Sequence, residues 1–330
     1  MSTTLETFQQ ELREHRETLA FVFGNGINRY ACVKARANAG KTSWEAMLLN
    51  LWKEITKEDF FMTNTKGEPA IPSEGVTYTE FFSILENFLQ NDNRLLVKNP
   101  KKRVGLKART KAYVERHINI RRKYHRWLQT KLAEEFDCPV MTTNYDSNIE
   151  EGMTLDPTYR THTRYTNNFL MESYMTDDDG KAPFDEFCVW HINGSLRFAS
   201  SLRIGLADYT SIINQASGRI DEWREAKRNG LPLDGLGFTR SWLRMFFEKD
   251  LCIVGLSLDT NEILLRWLLI ERKKYFDNHP PEERRRTWYV SHKKDVSKGM
   301  QFFFEFLGIE FIALDNYDDV YEGIFCTTHH

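Results

Sequence analysis

The sequence predicts an α/β fold, a mostly parallel sheet with helices on both faces. Two observations carry this. First, four apolar runs each end in a short polar motif. Leu19–Phe23 leads into Gly24-Asn25-Gly26-Ile27-Asn28, and Cys138–Met141 into Thr142-Thr143-Asn144-Tyr145-Asp146. Phe187–Trp190 leads into His191-Ile192-Asn193-Gly194-Ser195, and Leu251–Val254 into Gly255-Leu256-Ser257-Leu258-Asp259. Second, segments of helical apolar period alternate with these strand-like runs, the pattern of a parallel sheet covered on both faces. Ligands of such sheets bind at the carboxyl ends of the strands, so the four motifs point at one crevice.

The elements follow in order. Residues 5–18 form a charged leading helix, 19–23 the first strand, and 24–40 a loop. A helix starts near Thr42, where Thr42 and Glu45 stand at capping-box spacing. Trp44, Met47, Leu48, Leu51, Trp52 and Ile55 recur at helical period as one buried stripe. Gly67, Pro69, Pro72 and Gly75 make 62–78 a loop or hairpin, and Phe81, Phe82, Leu85, Phe88 and Leu89 mark a second amphipathic helix. Residues 101–126 hold eleven Lys/Arg against one acid, Glu115. Such a run is either a phosphate or nucleic-acid face or a solvated helix, and patterning of this kind weighs toward the second. The helix runs on past Trp127 and Leu128 to Glu135. Residues 45–136 thus form a mainly helical insertion. Residues 156–186 form an irregular one, whose acidic turn Asp177-Asp178-Asp179-Gly180 lacks the remaining ligands of a calcium loop. Residues 200–249 are helical with a break near 230–237. Later strands are expected at 251–255, 287–291 and 309–314, and helices at 262–276 and 296–307. The whole chain, 1–330, is expected to be one domain.

Composition narrows the function classes. Of the 330 residues 41% are apolar and 13% aromatic, enough for a packed core, and the formal charge of −2 supplies no global field for nucleic acid or membrane. No apolar stretch approaches the roughly 20 residues that span a bilayer, and Thr3 to Arg16 is polar, without a signal-peptide core. The five cysteines are scattered with no CxxC pair, so neither a disulfide framework nor zinc-ribbon spacing is present. A soluble, cytoplasmic protein is expected.

The motifs carry the chemistry. Gly24-Asn25-Gly26 after a strand lets the backbone approach a pyrophosphate, because each absent Cβ removes a steric block and exposed N–H groups can donate. Arg29 stands where the third glycine of GxGxxG belongs, and a ligand-free strand-exit turn fits equally. Asn144 and Asp146, two apart at a strand end, can aim two side chains into one pocket. The Asn amide suits a carboxamide or a ribose hydroxyl, while an Asx turn is the structural alternative. His191 can share a proton with a ribose hydroxyl or serve as a hydrogen-bonded structural residue. No second His lies at ligand spacing, so no metal is expected. Gly255-Leu256-Ser257 can approach phosphate or ribose, or simply turn.

In this order the four motifs resemble the sirtuin NAD-binding domain, a Rossmann-like fold. They are closer still to the divergent sirtuin-like family of NAD-consuming bacterial anti-phage defence proteins. The GAGIS-type loop is matched by Gly24-Asn25-Gly26-Ile27-Asn28, and the TQN-x-D motif by Thr142-Thr143-Asn144-Tyr145-Asp146. The HG-type motif is matched by His191-Ile192-Asn193-Gly194, the GTSL motif by Gly255-Leu256-Ser257-Leu258. Lys41-Thr42-Ser43-Trp44 fills the place of a Gly-Pro-Ser/Thr-Trp element. The four-cysteine zinc module and the arginine-bearing segment of the deacetylases are missing, and Asn28 replaces a serine. The resemblance therefore implies NAD+ glycohydrolase activity, with NAD+ as substrate and no metal, in place of protein deacetylation. By carry-over Asn144 orients the ribose or attacking water, and His191 is the general base on the ribose. Asp146 faces the nicotinamide, and Thr143 joins the binding set. Gly24, Asn25, Gly26 and Asn28 hold the pyrophosphate region, and Gly255, Ser257 and Asp259 the far ribose or phosphate. A freely active NADase would deplete its own cell, so a homo-oligomer is expected, with a separately encoded partner such as an ATPase and a trigger for abortive infection. The competing expectations are an NAD-dependent deacylase, a non-catalytic NAD or nucleotide sensor, and a nucleic-acid-binding subunit using 101–126.

Overall fold

The computed structural model describes residues 5–72, 75–91, 104–151, 158–161, 170–176 and 183–326. Its centre is one eight-stranded sheet. In chain order the strands are β1 (Leu19–Phe23), β2 (Val140–Thr142), β3 (Thr158–Thr161), β4 (Ser173–Thr176), β5 (Val189–His191), β6 (Asp250–Val254), β7 (Thr287–His292) and β8 (Glu310–Leu314). Across the sheet they lie β3-β4-β5-β2-β1-β6-β7-β8. From β5 to β8 every neighbouring pair is parallel, while β3 and β4 add antiparallel strands on the β5 side. Apart from that added pair, the order is that of a Rossmann-like sheet. The chain leaves β1 on one side for β2 and β5, then returns to the other side for β6, β7 and β8. The reversal opens a crevice at the carboxyl ends of β1 and β6.

The helices are α1 (Leu5–Glu14), α2 (Gly26–Lys34), α3 (Trp44–Thr56), α4 (Tyr78–Asn91), α5 (Leu106–His117), α6 (Lys123–Thr130), α7 (Leu206–Arg228), α8 (Leu243–Glu248), α9 (Ile263–Asp277), α10 (Lys298–Leu307) and α11 (Tyr317–Tyr321). Period-two alternation divides each strand between two cores. Val22, Met141, Trp190 and Ile253 pack on one face with Trp223 of α7, Phe246 of α8 and Leu268 of α9. Phe21, Phe23, Val140 and Cys252 pack on the other with Phe8 of α1, Ile27 of α2 and Leu128 of α6. A third cluster, including Leu48, Leu51, Phe82, Leu85 and Val114, joins α3, α4 and α5.

Several expectations are corrected. The helical insertion ends with α5. Tyr124 and Leu128 of α6, with Leu132 and Phe136 of the π turn that extends it, belong to the sheet core. Ser43 caps α3 in place of Thr42, its Oγ accepting from the Ala46 N–H at 3.1 Å. Glu45 instead accepts from the Ile71 N–H at 2.9 Å, pinning the loop that follows α3. The 156–186 segment is not wholly irregular, since β3 and β4 lie within it; its acidic turn at 177–180 lies outside the described residues. Within the basic segment Lys107 pairs with Asp208 (2.7 Å), Lys111 with Glu115 (3.3 Å), and Arg109 with Glu54. Among the described residues no helix is long and apolar enough to cross a membrane.

Candidate functional site

A cavity of about 1040 Å³ opens at the carboxyl ends of the parallel strands, at the upper limit of the roughly 300–1,000 Å³ usual for small-molecule sites. Eight residues singled out from the sequence line it: Asn25, Gly26, Thr143, Asn144, Asp146, Gly255, Ser257 and Asp259. Gly24, Asn28 and His191 are not in its wall.

The β1 and β6 turns press together at the crevice. A Cβ on Gly26 would lie 2.6 Å from the Gly255 Cα and would strike the Tyr321 hydroxyl. Gly255 has φ +69°, a left-handed conformation that glycine adopts without strain. Gly24 is packed from behind, and a Cβ there would lie 2.5 Å from the Gly255 carbonyl oxygen. The donors expected to reach a ligand are used internally. The Gly24 N–H donates to the Val254 carbonyl (3.1 Å) and the Gly26 N–H to the Gly255 carbonyl (2.7 Å).

At the end of β2 the Thr142 hydroxyl donates to the Phe23 carbonyl (3.1 Å) and accepts from the Asn144 N–H (3.1 Å). Asn144 Nδ2 donates to the Gly24 carbonyl at 3.2 Å, so its amide is fixed between the β1 and β2 exits. Asp146 is buried. Its Oδ2 accepts from Asn28 Nδ2 (2.8 Å) and its Oδ1 from the Asn148 N–H (3.2 Å). Burial pushes its pKa up to about 6 despite those two bonds. Asn28, expected on the pyrophosphate, sits behind Asp146 instead. Its Nδ2 also donates to Asn25 Oδ1 (3.1 Å), and its Oδ1 accepts from Asn148 Nδ2 (2.8 Å).

His191 is only 3% exposed and lies one layer behind the wall. Its Nδ1 meets the Asn144 carbonyl at 2.8 Å and its Nε2 meets Glu150 Oε1 at 2.8 Å. A carbonyl only accepts, so Nδ1 carries a proton. Burial works against the charged ring, but the Glu150 carboxylate and the hydrogen bonds outweigh it and raise the pKa. From the same motif it is Asn193, two residues on, that reaches the cavity. Asn193 is buried, and its Oδ1 has no hydrogen-bond partner among the described residues.

The facing wall comes from α3, α4 and the β6–α9 loop. The Trp44 ring lies 6.4 Å from that of Tyr78 and 6.1 Å from that of Tyr145. Leu258 is buried at φ +48°, a left-handed conformation that costs an L residue about 1–2 kcal/mol. The turn gathers polar groups at the cavity edge. Asp259 accepts from the Ser257 hydroxyl (3.0 Å) and the Asn261 N–H (2.8 Å), and Asn261 Oδ1 accepts from the Tyr78 N–H (2.8 Å). Glu262, half-buried at the start of α9, also lines the cavity. Burial first, then the Asp259 carboxylate, pushes its pKa up to about 7. At the ends of β7 and β8 stand Ser291, Asp295, Asn316 and Tyr317, the Tyr317 hydroxyl lying 3.0 Å from both Asp295 carboxylate oxygens.

Ser291 lies at the carboxyl end of β7 and Asn316 just past β8, both within reach of the rule that found the other motifs. Trp44 lies on the apolar stripe of α3, which periodicity assigns to the core, and Glu262 carries no sequence signal beyond opening a helix. Among the described residues no three His, Cys, Asp or Glu side chains gather in a way that could hold a metal ion. No protein-family model and no curated protein matches the chain.

Proposed function

We propose that this chain is a sirtuin-like NAD+ glycohydrolase that cleaves the bond between nicotinamide and ribose. The observation carrying the reading is Asn144 and Asp146, both fixed at the end of β2, next to the topological switch point, in a cavity with room for a dinucleotide. In this reading the pyrophosphate crosses the turn at Asn25 and Gly26, which lines the cavity. One nucleoside extends over the ends of β7 and β8. The nicotinamide riboside lies over β2 and β5, between Asn144, Asp146 and Asn193.

The chemistry fits those groups. The nicotinamide of NAD+ is a cation that departs as a neutral molecule, so no acid is needed to protonate it. The ribose gains oxocarbenium character as the bond breaks. Asn144 orients the ribose, and the Asp146 carboxylate, ionised above about pH 6, opposes the positive charge. His191 is a positioning residue, which fixes the Asn144 backbone from behind against Glu150. Control by a homo-oligomer, a separately encoded ATPase partner and a trigger during anti-phage defence belongs to the same proposal. So does a cytoplasmic location.

A specific observation favours a second reading. The imidazole is enclosed, with both ring nitrogens engaged, as suits a site that binds NAD without cleaving it, a sensor. Chromatography of NAD incubated with purified protein separates the two. The hydrolase releases nicotinamide together with ADP-ribose or its cyclic form, and Asn144→Ala releases none while remaining folded. Intact NAD in a saturated complex establishes the sensor. An added acyl-peptide converted to acyl-ADP-ribose would identify a deacylase.

A further inference from the structure

With His191 enclosed, the group that takes a proton from the attacking water lies elsewhere in the cavity. Five of its carboxylates are held by hydrogen bonds: Asp146 by Asn28 and the Asn148 N–H, Glu45 by the Ile71 N–H, Asp259 by Ser257 and Asn261, Asp295 by the Tyr317 hydroxyl, and Asp318 by the Tyr30 hydroxyl. Glu262 differs. It stands at the N-cap of α9 without capping it. Burial and Asp259 act on it, and no hydrogen bond or opposite charge holds it among the described residues.

Its natural partner is turned away. Arg266 follows at i+4, the arrangement in which a glutamate and a C-terminal cation pair on a helix. Yet the Arg266 guanidinium donates to the Leu258 carbonyl (2.7 Å) and lies 4.0 Å over the Phe303 ring. The same Arg266 bond holds the strained Leu258 turn from which Glu262 projects. The fold thus keeps one cavity carboxylate unpaired on a rigid element. Its field reaches Tyr145, the neighbour of Asn144.

We propose that Glu262 is the general base of this site, taking the proton from the water that attacks C1′ of the nicotinamide ribose. The inference rests on the NAD+ hydrolase reading. The C1′–N bond breaks with its electron pair passing to the pyridine nitrogen, which leaves as neutral nicotinamide. The water oxygen bonds to C1′, and its proton passes to Glu262 and then to solvent. NAD+ and water therefore give ADP-ribose, nicotinamide and one proton. A base must be ionised to act, and the pKa of about 7 sets a rate that falls as pH drops below neutrality. The titratable groups facing Glu262 are Asp259 from its own segment, Tyr145 after β2, and Tyr209 on α7, beside Asp208, which pairs with Lys107 of α5. Glu45 and Tyr78 face the same cavity and, with Asp259, act on one another.

The test compares wild type, Glu262→Gln and Glu262→Asp in two assays, nicotinamide release between pH 5.5 and 8.5 and NAD binding by calorimetry. Denaturation midpoints confirm that each variant is folded. Glu262→Gln is expected to lower release at pH 8 by roughly 10²–10⁴-fold, to shift the fall in rate from about pH 7 down to about pH 6, where Asp146 titrates, and to keep NAD affinity within about threefold of wild type. Glu262→Asp is expected to recover part of the rate and the pH limb. Hydrolysis by Glu262→Gln at the wild-type rate with the same pH limb overturns the assignment alone. A wild type that binds NAD and releases no nicotinamide overturns the hydrolase reading and the base together.

Discussion

Replacing Glu262 by Gln should make the folded protein more stable at pH 8 and leave its stability nearly unchanged at pH 4. The carboxyl rises from an ordinary 4.5 to about 7 in the folded chain. At about 1.4 kcal/mol per pH unit, holding it ionised costs the folded state roughly 3 kcal/mol, trimmed to about 2–3 kcal/mol by its partial contact with solvent. The sign follows from linkage. Well below 4.5 the group is protonated in both states and the cost is absent. Between 4.5 and about 7 the folded state keeps the proton that the unfolded state loses, so stability declines as pH rises. Above about 7 the cost is fully present. Gln has nearly the same shape and no charge to desolvate. No bond is lost, because α9 takes no cap from this side chain. Urea denaturation of both proteins at the two pH values, with m-values compared, reads the difference directly. An equal effect at both pH values, or a loss of stability at pH 8, would show that Glu262 has a partner holding its charge, and the reasoning fails.

Other perturbations address the layer behind the wall. Glu150→Ala leaves the buried His191 ring without its carboxylate (2.8 Å) and should cost about 3–5 kcal/mol. Because the His191 pKa is raised, the pair's contribution is full below about 6.5 and fades as pH rises through the folded value. The loss should therefore be larger at pH 6 than at pH 9 in chemical denaturation. Asn28→Ala removes a 2.8 Å donor from Asp146. Hydrogen bonds to charged groups contribute about 1.5–3 kcal/mol, so the Asp146 pKa should climb by about one to two pH units above its value near 6. The carboxyl ¹³C titration would show this, and an unmoved midpoint would contradict the geometry. Neutralising Lys107, Arg109 and Lys111 together should lower the unfolding temperature through the lost ion pairs without changing DNA affinity. A drop in DNA retention on a salt gradient would revive the nucleic-acid reading.

Much of the sheet was legible because parallel strands buried on both faces are near-continuous apolar runs. Leu-Ala-Phe-Val-Phe of β1 is buried throughout. The antiparallel pair β3 and β4 was not. Thr-Tyr-Arg-Thr and Ser-Tyr-Met-Thr are short and polar, and their pairing with each other and with β5 is set by tertiary contact. The end of the helical insertion was hidden for a related reason. Periodicity shows that α6 has an apolar stripe but not which core receives it. In the site, strand-end position found the residues of the wall but could not tell side chains facing the cavity from those one layer behind. Asn28 and His191 fell on the hidden side, Asn193 on the open one. The missed Glu262 owes its unpaired state to where Arg266 turns, a three-dimensional fact with no sequence trace.

The concealed residues explain why the motifs carry more polar groups than a ligand could touch. Asp146 is deeply buried, and an ionised carboxylate in such a place is tolerated only with hydrogen bonds around it. Asn28 and Asn148 supply them, one from the loop after β1 and one from the loop after β2, and they bond to each other across the gap. Glu150 and His191 do the same between the segments after β2 and β5, ending on the Asn144 carbonyl. Three of the four strand-end motifs, with the residue just past the second, thus supply both the cavity and the bracket behind it: Gly26 and Asn28, Asn144 and Asn148, Asn193 and His191. The bracket is not fully satisfied, since Asn148 Oδ1 and Glu150 Oε2 are buried without partners among the described residues, each at a cost of about 1–3 kcal/mol. An apolar layer of the same volume would avoid that cost but could hold neither the Asp146 charge nor the Asn144 backbone. Replacing Asn28 and Asn148 together by Leu should thus give a folded protein whose Asp146 is neutral at pH 7 and whose NAD binding is lost. A double variant that kept both the charge and the binding would mean that the wall stands without its bracket.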